Sequence, residues 1–270
     1  MKSIVVYADT SPSMTSRTEA ALDLARAHKA HITFIVVTPY SSYVALDPMG
    51  GVFVANAALE SIREEETRLD DMIKKEMANE DVSWEVLHYD GDAVDCVLSA
   101  ARLADMIVVS LGHDPDNPKP HSLLEVADLA EHSGCPILAI PHDQTRFAAL
   151  GSAAIAWNGS HEAANAVRSA IPMLQMAKTV HIITADKEPE NYPSTALARY
   201  LSRHDINAEV HDVPAGSLSI EEAIESQVKS LGAEWMVMGA WGHSRLRQTL
   251  LGGTTRHFLS ESKVPLLLAH

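Results

Sequence analysis

Short runs of apolar, often β-branched residues alternate along this chain with longer stretches whose apolar positions recur at helical spacing. Ser3 to Asp9 is one such run, and Ala153 to Gly159 is a second of the same kind. Each leads into an alanine-rich stretch with helical character, Arg17 to Lys29 and Glu162 to Met176. Each stretch gives way to another β-branched run, His31 to Val37 and Thr179 to Thr184. Further on, Ala104 to Ser110 parallels Ala233 to Gly239, and Cys135 to His142 parallels Val264 to His270. Both pairs are displaced by 129 residues, and a tandem duplication is the simplest account. Apolar strands alternating with helices predict an α/β fold with a mainly parallel sheet covered on both faces. The runs are apolar throughout, as strands buried on both sides must be. Two doubly wound domains are expected, residues 1–143 and 151–270, joined between Asp143 and Gly151.

Smaller signals fill in this frame. Ser16-x-x-Glu19 and Ser219-x-x-Glu222 read as capping boxes opening helices. Leu59, Ile62, Leu69 and Ile73 keep one helical face through the acidic run Glu64–Glu66, which reads as a solvated surface. An insertion from Pro39 to Asn56 reads as a surface loop, with a lid over the sheet edge as the alternative.

Charge narrows the partners. The chain has 36 acids against 21 lysines and arginines, a net charge of −15, so no nucleic-acid or anionic-membrane partner is expected. Two cysteines, Cys96 and Cys135, with no C-x-x-C, fit a reducing, cytoplasmic setting. The first apolar run is too short for a signal peptide, and no apolar run reaches the ~18 residues of a membrane span.

The candidate chemistry lies near the C-terminus. Gly239 ends the apolar run Trp235–Met238, where ligands bind in open parallel sheets. Gly242 follows, then Gly252, Gly253, Thr254 and Thr255 around the first turn of a helix expected over Leu250 to Leu259. A helix N-terminus offers unpaired N–H groups to a phosphate, glycines admit the backbone close to it, and threonine hydroxyls add hydrogen bonds. Neither G-x-x-x-x-G-K-[ST] nor G-x-G-x-x-G is present. On spacing alone, tight turns and helix–sheet packing explain these glycines as well as a phosphate does.

Gly239-x2-Gly242-x9-Gly252, followed by small and hydroxyl residues, resembles the nucleotide loop of the universal stress proteins. The duplication resembles their tandem two-domain members. The resemblance implies a five-stranded, doubly wound domain in each half, and a regulatory module binding ATP or ADP, with Mg²⁺ as a possible companion, in the C-terminal domain. It implies Met238 and Gly239 near base and ribose, and Gly242, Gly252, Gly253, Thr254 and Thr255 around the phosphates. It also implies Asn158 and Thr184 near the base. His243 and Arg245 lie inside the loop and are candidates for steadying phosphate charge. In the family the last strands pair across subunits, so Ile137–Ile140 and Val264–Leu268 are expected at an intramolecular seam, a pseudo-dimer, with a homodimer of whole chains as a further possibility.

This sequence departs from the family pattern at two places. Gly253 stands where the motif prefers Ser or Thr, and Asn158 stands where binders usually carry Asp. The N-terminal repeat keeps Asp9 but has only Gly112 of the glycines, and Pro115, Pro118 and Pro120 would stiffen the loop. It reads as a degenerate, non-binding copy.

No catalytic residue and no metal ligand is expected. His132-x-x-Cys135 and the pair His113 and His121 are the nearest approach to ligand spacing, and neither has a partner motif. There is no G-x-S-x-G elbow, and Ser160 reads as a helix cap. Two alternatives stand beside the nucleotide reading: an interaction or stress-tolerance protein that binds no nucleotide, and an ATP-hydrolysing enzyme of related fold. The absence of S-G-G-x-D-S argues against the enzyme.

Overall fold

A computed structural model describes residues 1–38, 44–46, 52–54, 56–111, 123–144, 146–185, 192–214, 216–240 and 253–270. The N-terminal half contributes β1 (Ser3–Ala8), α1 (Met14–His28), β2 (His31–Thr38), β3 (Val44–Leu46), β4 (Val52–Val54), α2 (Asn56–Met77), β5 (Ser83–Asp90), α3 (Ala93–Ala100), β6 (Met106–Ser110), α4 (Leu123–His132) and β7 (Ile137–Ile140). The C-terminal half contributes β8 (Ser152–Ala156), α5 (His161–Leu174), β9 (Thr179–Ala185), α6 (Ser194–Ser202), β10 (Ala208–Val213), α7 (Ile220–Leu231), β11 (Trp235–Gly239), α8 (Gly253–Glu261) and β12 (Leu266–Ala269).

Ten strands form one sheet in the order β10-β9-β8-β11-β12-β7-β6-β1-β2-β5. Each half supplies five, and the second half repeats the first in mirror order. All neighbours are parallel except β12 and β7, which pair antiparallel with Leu267 opposite Leu138. Short strands β3 and β4 pair separately, inside the expected insertion, which ends at the start of α2, and residues 39–43, 47–51 and 55 lie outside the described residues.

The burial pattern follows from the alternation of side chains along strands. Ile4, Val6, Phe34, Ile155 and Leu267 fall in the apolar layer on one face of the sheet. Val5, Ile107, Ile137, Met236 and Leu268 fall in the layer on the other. Both layers draw on both halves. The joining segment is packed as well. Phe147 and Ala149 are buried, Phe147 meets Trp235 edge-on at 6.3 Å, and its N–H donates to Asp23.

Helix ends show which local signals held. Ser219 and Glu222 form a full capping box, and the Ser160 hydroxyl accepts from the Ala163 N–H. Ser16 is not a cap. The first helix starts earlier, at Met14 after Ser13, and the Ser16 hydroxyl instead donates to the His142 carbonyl, tying α1 to the chain leaving β7. In α2, Leu69 and Ile73 are buried while Glu64 and Glu65 face solvent. Glu66 turns inward to accept a hydrogen bond from Thr38. Among the described residues no helix is long and apolar enough to cross a membrane.

Candidate functional site

The duplicated fold produces one cleft twice, at the carboxyl edge of the sheet. In the C-terminal half it has a volume of about 310 Å³. Its walls come from Ala156, Trp157, Asn158 and Ser160 after β8, Ala185 at the end of β9, Ile220 and Ile224 on α7, Met238 and Gly239 on β11, and Gly253, Thr254 and Thr255 at the start of α8. Six of the residues expected from sequence therefore converge: Asn158, Met238, Gly239, Gly253, Thr254 and Thr255. Thr184 does not line the cleft. It is buried in β9, and strand alternation gives its place to Ala185. Gly242, His243, Arg245 and Gly252 lie outside the described residues.

Gly239 owes its identity to packing. A Cβ there would fall 2.4 Å from the Ala163 nitrogen and 2.6 Å from the Glu162 carbonyl carbon, inside the first turn of α5. Gly253 is the opposite case, with open space where a Cβ would project. Asn158 closes a local turn: its side-chain oxygen accepts from the Ser160 N–H at 3.1 Å. Asp9 does the same for Ser11 at 3.0 Å, so acid and amide serve this turn alike.

A carboxylate lies behind one wall of the cleft. Thr254 Oγ1 donates to a Glu221 carboxylate oxygen at 2.5 Å, and that bond holds the carboxyl below its ordinary range. Glu221 is thus ionised at neutral pH, and the Thr254 proton is committed to it. One turn along, His257 pairs with Glu225 at 3.0 Å, so α7 and α8 are joined by two polar contacts.

The matching hollow in the N-terminal half has only about 20 Å³. Its lining corresponds to part of the open cleft, and Ala8, Asp9 and Val37, the counterparts of Trp157, Asn158 and Ala185, line a neighbouring hollow instead. Tyr7 stands for Ala156, Val109 for Met238, Ser110 for Gly239 and Glu125 for Thr254. Arg17, 1% exposed, adds its side chain from α1. Its guanidinium pairs with Asp9, donates to the Ser11 hydroxyl at 3.2 Å and lies 5.7 Å from the Tyr7 ring centre. Burial and the Asp9 charge push the Tyr7 phenol above its ordinary range, so it stays neutral. The prolines read as closing this half lie outside the described residues. Among the described residues, an aromatic ring and an ion pair border the smaller space. A neighbouring hollow of about 180 Å³ is bordered by Asp9, Glu65 and Glu66, which repel an anion.

His132 and Cys135 do not converge. The His132 ring meets the Asp128 carbonyl at 2.9 Å, and the Cys135 thiol faces the Ala101 carbonyl at 4.0 Å. Burial pushes that thiol up to about 11, away from the thiolate a metal would need. His113 and His121 lie outside the described residues. A different cluster, His181, Glu209 and His211, was missed in the sequence. Its signal is a Glu-x-His alternation on one strand face, visible only once β9 is known to pair with β10.

Fold and site together define a tandem, doubly wound α/β protein with one continuous and one divided cleft. The sequence pattern of the universal stress protein family matches residues 1–141 and again 153–270, and the chain belongs to that family. No curated protein matches it significantly. Among solved structures, a universal stress protein of Archaeoglobus fulgidus DSM 4304 is similar over 99% of this chain and 97% of its own, with a TM-score of 0.74 at 17% identity. A protein of the universal stress type from Pseudomonas aeruginosa UCBPP-PA14 is similar over 100% of this chain and 93% of its own, with a TM-score of 0.60 at 18% identity. At these identities the likeness concerns the fold.

Proposed function

We propose that this chain is a universal-stress-type regulatory protein that binds ATP or ADP, with Mg²⁺ as companion, in its C-terminal cleft. The observation that carries this is that the C-terminal copy of the cleft is one space of about 310 Å³, whereas the N-terminal copy is divided into hollows of about 20 Å³ and about 180 Å³, the larger bordered by Asp9, Glu65 and Glu66. The open copy keeps small residues and threonines at a helix N-terminus, where unpaired N–H groups and the helix dipole favour phosphate. Cleft volumes of about 300–1,000 Å³ suit small ligands. The units correspond to residues 1–143 and 151–270, with the first as a non-binding support. The antiparallel β7–β12 pairing supports their reading as an intramolecular pseudo-dimer, and association of whole chains into a homodimer is part of the same reading. The role is regulatory: occupancy changes the surface between Gly239 and Thr255 that a partner meets.

Titration calorimetry of ATP with Mg²⁺ tests the reading. Saturable binding near one per chain is expected. Ala156→Tyr imports the ring that borders the smaller N-terminal hollow and is expected to abolish the heat while the circular dichroism spectrum stays unchanged. Gly253→Ser points a hydroxyl into open space at the start of α8 and is expected to tighten binding about tenfold, the effect of one charge-assisted hydrogen bond. Absence of heat from the unaltered protein would favour the second reading, an interaction protein that binds no nucleotide. The ionised Glu221 beside Thr254 is the specific observation on that side.

A further inference from the structure

Three potential metal donors meet on the outer strands of the C-terminal half, at a place the nucleotide reading does not use. In the parallel register His181 on β9 lies opposite Glu209 on β10. His211 follows two residues on and therefore shares the face. His181 Nδ1 is 3.1 Å from His211 Nε2 and 3.5 Å from a Glu209 carboxylate oxygen, and His211 Nε2 is 3.8 Å from that same oxygen. A tetrahedral zinc ion with bonds of about 2.0–2.2 Å to nitrogen and oxygen holds its donor atoms about 3.4 Å apart. The three distances bracket that value.

The surroundings fit the same conclusion. His181 is buried, so packing fixes its ring, while Glu209 is 72% exposed and opens one side to water. Two imidazoles and one carboxylate meet here on a chain of net charge −15. Without a metal, one imidazole donates its proton to the other, and the carboxylate beside them adds charge without completing the set. Imidazole with carboxylate suits zinc and its transition-metal neighbours, whereas Mg²⁺ and Ca²⁺ take all-oxygen sets.

We propose that His181 Nδ1, His211 Nε2 and Glu209 bind a divalent transition-metal ion of the zinc type, with water in the fourth position. The ion joins edge strand β10 to β9. Because β9 ends at Ala185 in the cleft wall, the metal stiffens that wall from the far end of the strand.

The test is titration of ZnCl₂ into the full chain after EDTA treatment and dialysis, beside Glu209→Gln and His211→Ala. Both positions are on the edge strand and neither is fully buried, and circular dichroism confirms the fold of each variant. One tight zinc per chain is expected, weakened at least about 100-fold by His211→Ala and about tenfold by Glu209→Gln. Cobalt(II) is expected to give the intense visible bands of a tetrahedral site, absent in His211→Ala. The chain has 14 histidines, so weak scattered binding is the background and is the same in all three proteins. Zinc binding that is weak and multiple in the unaltered protein, or unchanged in both variants, overturns the proposal.

Discussion

Replacing Gly239 by alanine is expected to destabilise the protein by about 3 kcal/mol, the upper end of the range for overpacking a core. The added methyl would fall 2.4 Å, 2.6 Å and 2.9 Å from three backbone atoms of α5. A flexible side chain could swing aside, but a helix backbone cannot. The helix could relieve the clash only by lifting Ala163, Ala166 and Val167 from the sheet they are buried against. The same change at Gly253 meets nothing within 4 Å and replaces glycine at the start of a helix, so it is expected to be neutral or stabilising by up to about 1 kcal/mol. Urea unfolding of the two variants checks the pair, and equal midpoints would contradict it.

Arg17→Met is expected to cost about 3–5 kcal/mol, the penalty for removing one partner of a buried ion pair. Arg17 is 1% exposed and Asp9 13%, so a carboxylate that loses its counter-charge there has little water to turn to. Asp9→Asn added to Arg17→Met is expected to restore part of the loss, because the amide still accepts from the Ser11 N–H and no longer needs a counter-charge. Denaturant unfolding of both variants decides this. A double variant no more stable than the single one would mean that Arg17 acts through packing rather than charge.

Much of the fold was legible because duplication writes its pattern twice and buried parallel strands are apolar throughout. The 129-residue displacement aligned β6 with β11 and β7 with β12 before any coordinate was known. Legibility stopped where tertiary contacts choose among locally equal options. Ser16 has the look of a cap, but contact with His142 claims its hydroxyl. Thr184 and Ala185 are adjacent in sequence, and only the phase of the strand tells which one reaches the cleft. Gly239 was read for what it admits on the ligand side, whereas its strictest neighbour is α5 on the other. The asymmetry between the clefts was sought in the proline loop of the first half. Among the described residues it stands in Tyr7 and Arg17, which no glycine motif marks. The metal cluster needed the β9–β10 register before its three members became neighbours.

The seam in the middle of the sheet has a consequence for inheritance. Strand β7 reads Ile-Leu-Ala-Ile and β12 reads Leu-Leu-Leu-Ala, and each covers the other's open backbone edge. The outermost strands, by contrast, carry Glu85, Asp90, Glu209 and Asp212, charges that discourage further strand addition. A gene truncated at the join would release a half whose uncovered edge is uncharged and wholly apolar, a ready template for aggregation. Whatever the first half binds, it also caps the open edge of the second.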